Sequence, residues 1–139
     1  MAKFKETSRR FLIDLDPYNR QLYVSIAEND DRLRDGLSRF MNPSLVDEWM
    51  ELIGPMSSYQ DGRTASILGS GIVLRLREYP THNRHLAAIA HEVFHVVEFM
   101  FHSINLPHNA EISSEAWAYM IGHIHHQIYQ NIWPPQGND

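Results

Sequence analysis

Residues 81–103 read THNRHLAAIAHEVFHVVEFMFHS, and this stretch decides the fold. Its apolar residues recur every three or four positions, which is the period of an amphipathic helix. We therefore predict a helix over 81–103, with an apolar side against a core and a polar side opposite. The polar side carries His91 and His95 one turn apart, so both imidazoles project from the same face.

Residues 91–95, His-Glu-Val-Phe-His, match the HExxH pattern, in which two histidines bind one zinc ion. Glu92 lies about 100° further round the helix than His91. Its carboxylate can take a proton from a water on the metal during attack on a carbonyl, and then pass that proton to the leaving amine. The alternative is that this polar stripe is the solvated face of an ordinary amphipathic helix. A third ligand has to distinguish the two interpretations.

A catalytic zinc ion needs three protein ligands and one open position. The metzincin arrangement is excluded, because Glu98 and Phe101 stand where that arrangement requires a glycine and a histidine. His102, on the same helix, lies too far along the axis to share one tetrahedral ion with the motif. The following helix is the remaining source of a ligand.

A second long helix is predicted over 110–131, returning antiparallel to the first. Glu115, about a turn and a half into it, comes back to the level of His95 and is the predicted third ligand. One stripe of this helix consists of Glu115, Tyr119, Gly122 and His126. We expect it to face the histidine stripe, with Gly122 allowing close approach. Glu111 is the rival ligand, although a carboxylate in a first turn more simply complements the helix dipole.

Two further side chains on this helix are candidates for supporting roles. Tyr119 is either a donor to the oxyanion of a tetrahedral intermediate or a hydrogen-bonding partner of the ligand beside it. His126 is a candidate partner for a metal ligand. The histidines at 123, 125 and 126 are spread around the helix, so a separate metal site there is the less favoured interpretation.

The first half of the chain is predicted to form a small sheet and two helices. The predicted elements are strands 10–15, 21–26, 65–68 and 72–77 and helices 29–40 and 44–53. The first two strands are joined by a turn-rich segment that can close a hairpin. In strand 72–77, Leu74 and Leu76 alternate with Arg75 and Arg77, which indicates a half-exposed strand. The predicted class is α+β, with a small antiparallel or mixed sheet packed on the two long helices.

Composition limits the possible functions. The 139 residues fit one domain, 1–139, with the metal site within 81–131 and a frayed tail at 134–139. The absence of cysteine excludes thiolate zinc sites, so any metal must use His, Asp or Glu. A net charge of −5 argues against nucleic-acid binding. No signal peptide or membrane span is evident, so we expect a cytoplasmic protein whose partner is a peptide or protein substrate. The sequence leaves its oligomeric state open.

The candidate ligands resemble those of the gluzincins, metallopeptidases with HExxH on one helix and a glutamate ligand on the next. The separation of His95 and Glu115 is similar to that in thermolysin-like members, although residues 114–119, SEAWAY, lack their flanking asparagine and aspartate. The stretch 71–129 is also similar to small zincin-like proteins encoded by phages and prophages. The resemblance implies a minimal zincin with one zinc ion that cuts peptide bonds, in the host cytoplasm if the protein is phage-encoded.

The resemblance also implies a sheet whose edge strand precedes the active-site helix and holds an extended peptide. Strand 72–77 is expected at that edge, where Arg75 and Arg77 either favour acidic substrates or protect the edge by their charge. Two other functions stay open. One is an accessory protein that keeps the zinc ion without turnover, and the other is a regulator that cleaves one specific partner.

Overall fold

The computed structural model describes residues 8–133. The predicted frayed tail, 134–139, lies outside the described residues. The elements are β1 (Arg9–Asp14), β2 (Gln21–Ile26), α1 (Asp30–Phe40), a short 3-10 turn (Pro43–Leu45), α2 (Val46–Ile53), β3 (Gly62–Ile67), β4 (Gly71–Leu76), α3 (Asn83–Ser103) and α4 (Ser114–Ile132). None of the helices in this part of the chain is long and apolar enough to cross a membrane.

The four strands form one mixed sheet in the order β1-β2-β4-β3. β1 and β2 pair antiparallel, which confirms the predicted hairpin, and β3 and β4 form a second antiparallel pair. β2 and β4 run parallel, so the chain between them crosses over through α1 and α2. The predicted α+β class is confirmed.

Helices cover both faces of this sheet. Side chains of a strand alternate between faces, so Leu74 packs with α3 and α4, whereas its neighbour Val73 packs with α1 and α2. The first face buries Ile89, Val93 and Met100 of α3. The predicted apolar side of α3 therefore lies in the core. Its polar side faces the solvent and the edge of the sheet.

Strand β4 is an interior strand, and the prediction that 72–77 is a half-exposed edge was wrong. Arg75 is only 6% exposed because α1 and α2 cover its face of the sheet. Its guanidinium donates to the backbone carbonyls of Ile53 at 3.2 Å and Glu28 at 2.9 Å, and contacts the Asp30 carboxylate at 3.2 Å. Arg75 therefore neither meets a substrate nor protects an edge. Its hydrogen bonds connect β4 to α1, α2 and the residues before α1.

Helix α4 begins at Ser114, whereas the predicted helix began at 110. The Asn109 side chain accepts hydrogen bonds from the backbone N–H groups of Glu111 and Ile112, at 2.9 Å and 3.2 Å, which holds these residues in a turn. The Ser113 hydroxyl closes the turn by accepting from the Asn109 N–H at 2.8 Å. Glu111 thus precedes the helix, and Glu115 lies in its first turn rather than a turn and a half inside it.

Candidate metal centre

The two histidines of the HExxH motif point at one another from the exposed side of α3. Their Nε2 atoms are 3.2 Å apart, and the side chains of His91 and His95 are 67% and 40% exposed. Two imidazole nitrogens bound tetrahedrally to one zinc ion, each at ~2.0–2.1 Å, would be about 3.4 Å apart. The 3.2 Å separation is that of a hydrogen bond between the two rings, and it is also close to the spacing of two ligands of one ion. The exposure of the rings leaves room for further ligands.

A carboxylate one turn along α3 orients the second histidine. Glu98 Oε1 lies 2.9 Å from His95 Nδ1. A carboxylate accepts from the proton on Nδ1, and this tautomer leaves the lone pair of Nε2 on the side of His91, where it could bind a metal ion. From the sequence, Glu98 excluded a metzincin and was given no role beside His95. The signal for that role is a glutamate three residues after a motif histidine, on the same helical face.

Glu92 is buried between α3 and the edge of the sheet, with 6% of its surface exposed. The Thr64 hydroxyl donates to Glu92 Oε1 at 2.7 Å. The other carboxylate oxygen, Oε2, lies 4.0 Å from His91 Nε2. Thr64 was not identified from the sequence, because the predicted strand began at 65, three residues after the start of β3, and left Thr64 in a loop. The arrangement directs one oxygen of Glu92 to the histidines while the other is held by the sheet.

A cleft of about 410 Å³ opens beside these groups, between α3 and the start of β3. His91 and Glu92 line it together with Gly62 and with Asp61 and Arg84, which form an ion pair at 3.3 Å. A larger cavity of about 650 Å³ lies among the turns at the other end of the sheet, and none of the HExxH residues lines it. The smaller cleft is the relevant one, because His91 and Glu92 line it.

The predicted third ligand, Glu115, does not lie in one group with His91 and His95. Glu115, Tyr119, Gly122 and His126 are all exposed. A Cβ placed on Gly122 would meet nothing within 4 Å, so this glycine is not at a helix contact. The expectation that two polar stripes face each other was wrong, because both helices turn their apolar sides to the sheet. Within residues 8–133, no group of three His, Asp or Glu side chains is arranged to hold a metal ion.

The start of α4 nevertheless lies close to the motif. The Trp117 ring is 6.1 Å from the Phe94 ring and stacks on Phe101 at 5.4 Å, between centroids. This packing sets the first turn of α4 level with the half of α3 that follows the motif. Glu115 is two residues before Trp117 and is free of the core. Because two residues span about 200° of helical rotation, Glu115 lies on the side of α4 away from the Trp117 contact.

Tyr119, His123 and His125 of α4 have partners away from the histidine pair. Tyr119 is 60% exposed and stacks on His123, with the ring centroids 6.0 Å apart. His123 Nε2 lies 3.0 Å from the Asp14 carbonyl, and His125 Nδ1 lies 2.8 Å from the Ile121 carbonyl. Neither Tyr119 nor His126 is directed at the histidine pair by a contact that the described residues show. Both stay candidates from sequence alone.

The sheet edge beside the site is β3, which has β4 as its one neighbour in the sheet formed by residues 8–133. The backbone N–H of Arg77, which follows β4, donates to the carbonyl of Asp61, which precedes β3, at 2.9 Å. This bond makes 61 and 77 a hydrogen-bonded pair of the ladder. Hydrogen-bonded and non-hydrogen-bonded residues alternate in an antiparallel pair. With this register, Gly62, Thr64 and Ser66 turn their backbone N–H and C=O groups to the free edge.

Comparisons of the chain with protein families, with curated proteins and with solved structures found no match. The resemblance to gluzincins therefore stays a prediction. The geometry of the HExxH residues and of the strand beside them is therefore the basis for assigning a function.

Proposed function

We propose that this protein is a zinc-dependent peptidase in which His91 and His95 bind one zinc ion and Glu92 is the general base. Glu115 is the proposed third ligand. The observation that carries the proposal is the 3.2 Å separation of the two Nε2 atoms, with a buried carboxylate directly beside them. A purely solvated helical face has no need of a buried glutamate beside the two imidazoles.

A bound zinc ion would supply Lewis acidity and lower the pKa of a water to about 7. Glu92 takes a proton from the attacking water through Oε2, the oxygen nearer His91, and delivers it to the leaving nitrogen. Glu98 keeps His95 in the tautomer that offers Nε2 to a metal. Of these side chains, Glu92 lines the cleft, and Glu98 lies further along α3, beside His95.

The proposed substrate is an extended segment of peptide that adds to the free edge of β3. The unpaired backbone groups of Gly62, Thr64 and Ser66 can form a further antiparallel ladder with such a segment. Because the Thr64 side chain touches Glu92, a peptide paired there would lie alongside the general base. This replaces the expectation based on 72–77, and it removes Arg75 as a determinant of substrate charge.

The second candidate is an accessory protein that binds zinc without turnover. The position of Tyr119 favours it, since the side chain proposed to stabilise an oxyanion stacks on His123 in solvent. The same chain could also cut one specific partner and ignore generic peptides. For all three possibilities we propose a cytoplasmic protein, which the absence of cysteine suits.

The proposal is tested by Glu92→Gln, a change that keeps the shape of the side chain and removes the base. Glu48→Gln, an exposed glutamate on α2, is the matched control for loss of charge. We expect hydrolysis of labelled casein and mixed peptides to fall about 100- to 10,000-fold in Glu92→Gln, with zinc content retained, and to be unchanged in the control. Equal activity in Glu92→Gln and wild type would contradict the proposed mechanism. A zinc-loaded wild type inactive on every peptide would favour the accessory or partner-specific candidate.

A further inference from the structure

Strand β3 supports the HExxH glutamate with two residues that point to the same face. Side chains alternate along a strand, so positions 62 and 64 both face α3. Thr64 donates its hydroxyl to Glu92 Oε1 at 2.7 Å. A Cβ built on Gly62 would lie 2.9 Å from Glu92 Cγ, closer than carbon atoms pack without displacement. Gly62 therefore leaves space for the Glu92 side chain, and Thr64 binds its carboxylate.

The hydrogen bond restricts which oxygen of the carboxylate can act as base. A buried carboxylate without a partner is costly, so Glu92 needs a donor at the sheet side of its site. With Oε1 bound to Thr64, Oε2 is the oxygen on the side of His91, 4.0 Å from its Nε2. Rotation of the carboxylate would exchange the two oxygens only by breaking the 2.7 Å bond.

We infer that Thr64 is a positioning residue for catalysis, which fixes Glu92 Oε1 so that Oε2 is presented to the attacking water. The inference rests on the proposed peptidase function. Thr64 acts through Glu92 and needs no contact with the metal or the substrate side chains. Because its backbone also lies on the free edge, the same residue ties the general base to the strand that receives the peptide.

The test compares Thr64→Val, which keeps the shape and removes the hydroxyl, with Thr64→Ser, which keeps the hydroxyl. Melting temperature and zinc content identify any variant that fails to fold. Crystal structures of both variants show where the Glu92 carboxylate lies, and kcat and KM are measured on a fluorogenic peptide that the wild type cleaves. Glu48→Gln is the control for the assay.

We expect Thr64→Val to release the carboxylate from its position and to lower kcat between about 10- and 100-fold, with KM within twofold of wild type. Thr64→Ser should restore both the position and kcat. An unmoved carboxylate in Thr64→Val, an unchanged kcat, or an equal loss in the serine variant would overturn the inference. A wild type without peptidase activity counts against the proposed function, and the carboxylate position in the two crystal structures still decides whether Thr64 positions Glu92.

Discussion

Helices α3 and α4 carry the same kinds of side chain on their polar sides, yet only α3 organises them. On α3, two imidazoles meet at 3.2 Å, one of them is held by Glu98, and Glu92 is held by the sheet edge. On α4, Tyr119 stacks on a histidine of its own helix, and Glu115 is exposed. Histidine content alone therefore does not distinguish the two helices.

The difference lies in what packs beside each helix. One flank of α3 lies against β3, so Glu92 faces a hydroxyl and a glycine across the contact. The polar side of α4 faces solvent, because its apolar side packs on the same core as α3. A chemically active face needs a second element to supply partners, and the one residue of α4 proposed to join the site, Glu115, lies in its first turn.

The most severe test of this contrast concerns Glu115, the one residue of α4 that we assign to the metal. Glu115→Ala should weaken zinc binding by more than the 10- to 100-fold typical of outer partners, because it removes a ligand. Glu111→Ala, in the turn before α4, should leave zinc affinity unchanged. Competition with a chromophoric chelator measures both affinities. The reverse order would assign the ligand to Glu111, and two unaffected variants would restrict the site to α3.

A smaller loss is expected from Glu98, which acts through His95. Glu98→Ala removes the acceptor of the Nδ1 proton and should weaken zinc binding about 10- to 100-fold. Glu98→Gln keeps an oxygen acceptor and should lose less. The same chelator competition measures these values. Zinc affinity equal to wild type in Glu98→Ala would mean that the 2.9 Å contact has no role in orienting the imidazole.

The smallest expected effects are changes in stability when a methyl group is added at two glycines. Gly62 lies against α3, and Gly122 lies on the polar side of α4. Gly62→Ala places a methyl group 2.9 Å from Glu92 Cγ and should lower the free energy of unfolding by about 1–3 kcal/mol. Gly122→Ala meets nothing within 4 Å and should raise it by up to about 1 kcal/mol through helix propensity. Urea denaturation measures both changes. A destabilised Gly122→Ala would indicate that the polar side of α4 is packed.

Much of the fold could be predicted from local patterns. The hairpin, the position of α1 and the length of α3 follow from turn residues, the Asn29 cap and the apolar period, which are all local signals. The interior position of β4 in the sheet was not predicted. The alternation of leucine and arginine at 74–77 indicated a face in solvent, but α1 and α2 cover that face. A buried arginine that binds backbone carbonyls looks, in sequence, like an exposed one.

The site was predictable only within α3. His91, Glu92 and His95 are joined by helical spacing, which the sequence shows directly. Thr64 is separated from Glu92 by 28 positions, so only the tertiary fold reveals their contact. The prediction placed Glu115 a turn and a half inside the helix, whereas it lies in the first turn. The reason is that the Asn109 side chain binds backbone N–H groups and holds the following residues in a turn, so that α4 begins only at Ser114.

Zinc stoichiometry by native mass spectrometry tests the central claim most directly. Wild type, His95→Ala and His102→Ala are compared after reconstitution with zinc, His102 being an exposed histidine of α3 that lies too far along the axis to share an ion with the motif. We predict one zinc ion per chain in wild type and in His102→Ala, and none retained in His95→Ala. No bound zinc in the wild type, or equal retention by all three proteins, would contradict the assignment of a metal centre to the HExxH face of α3.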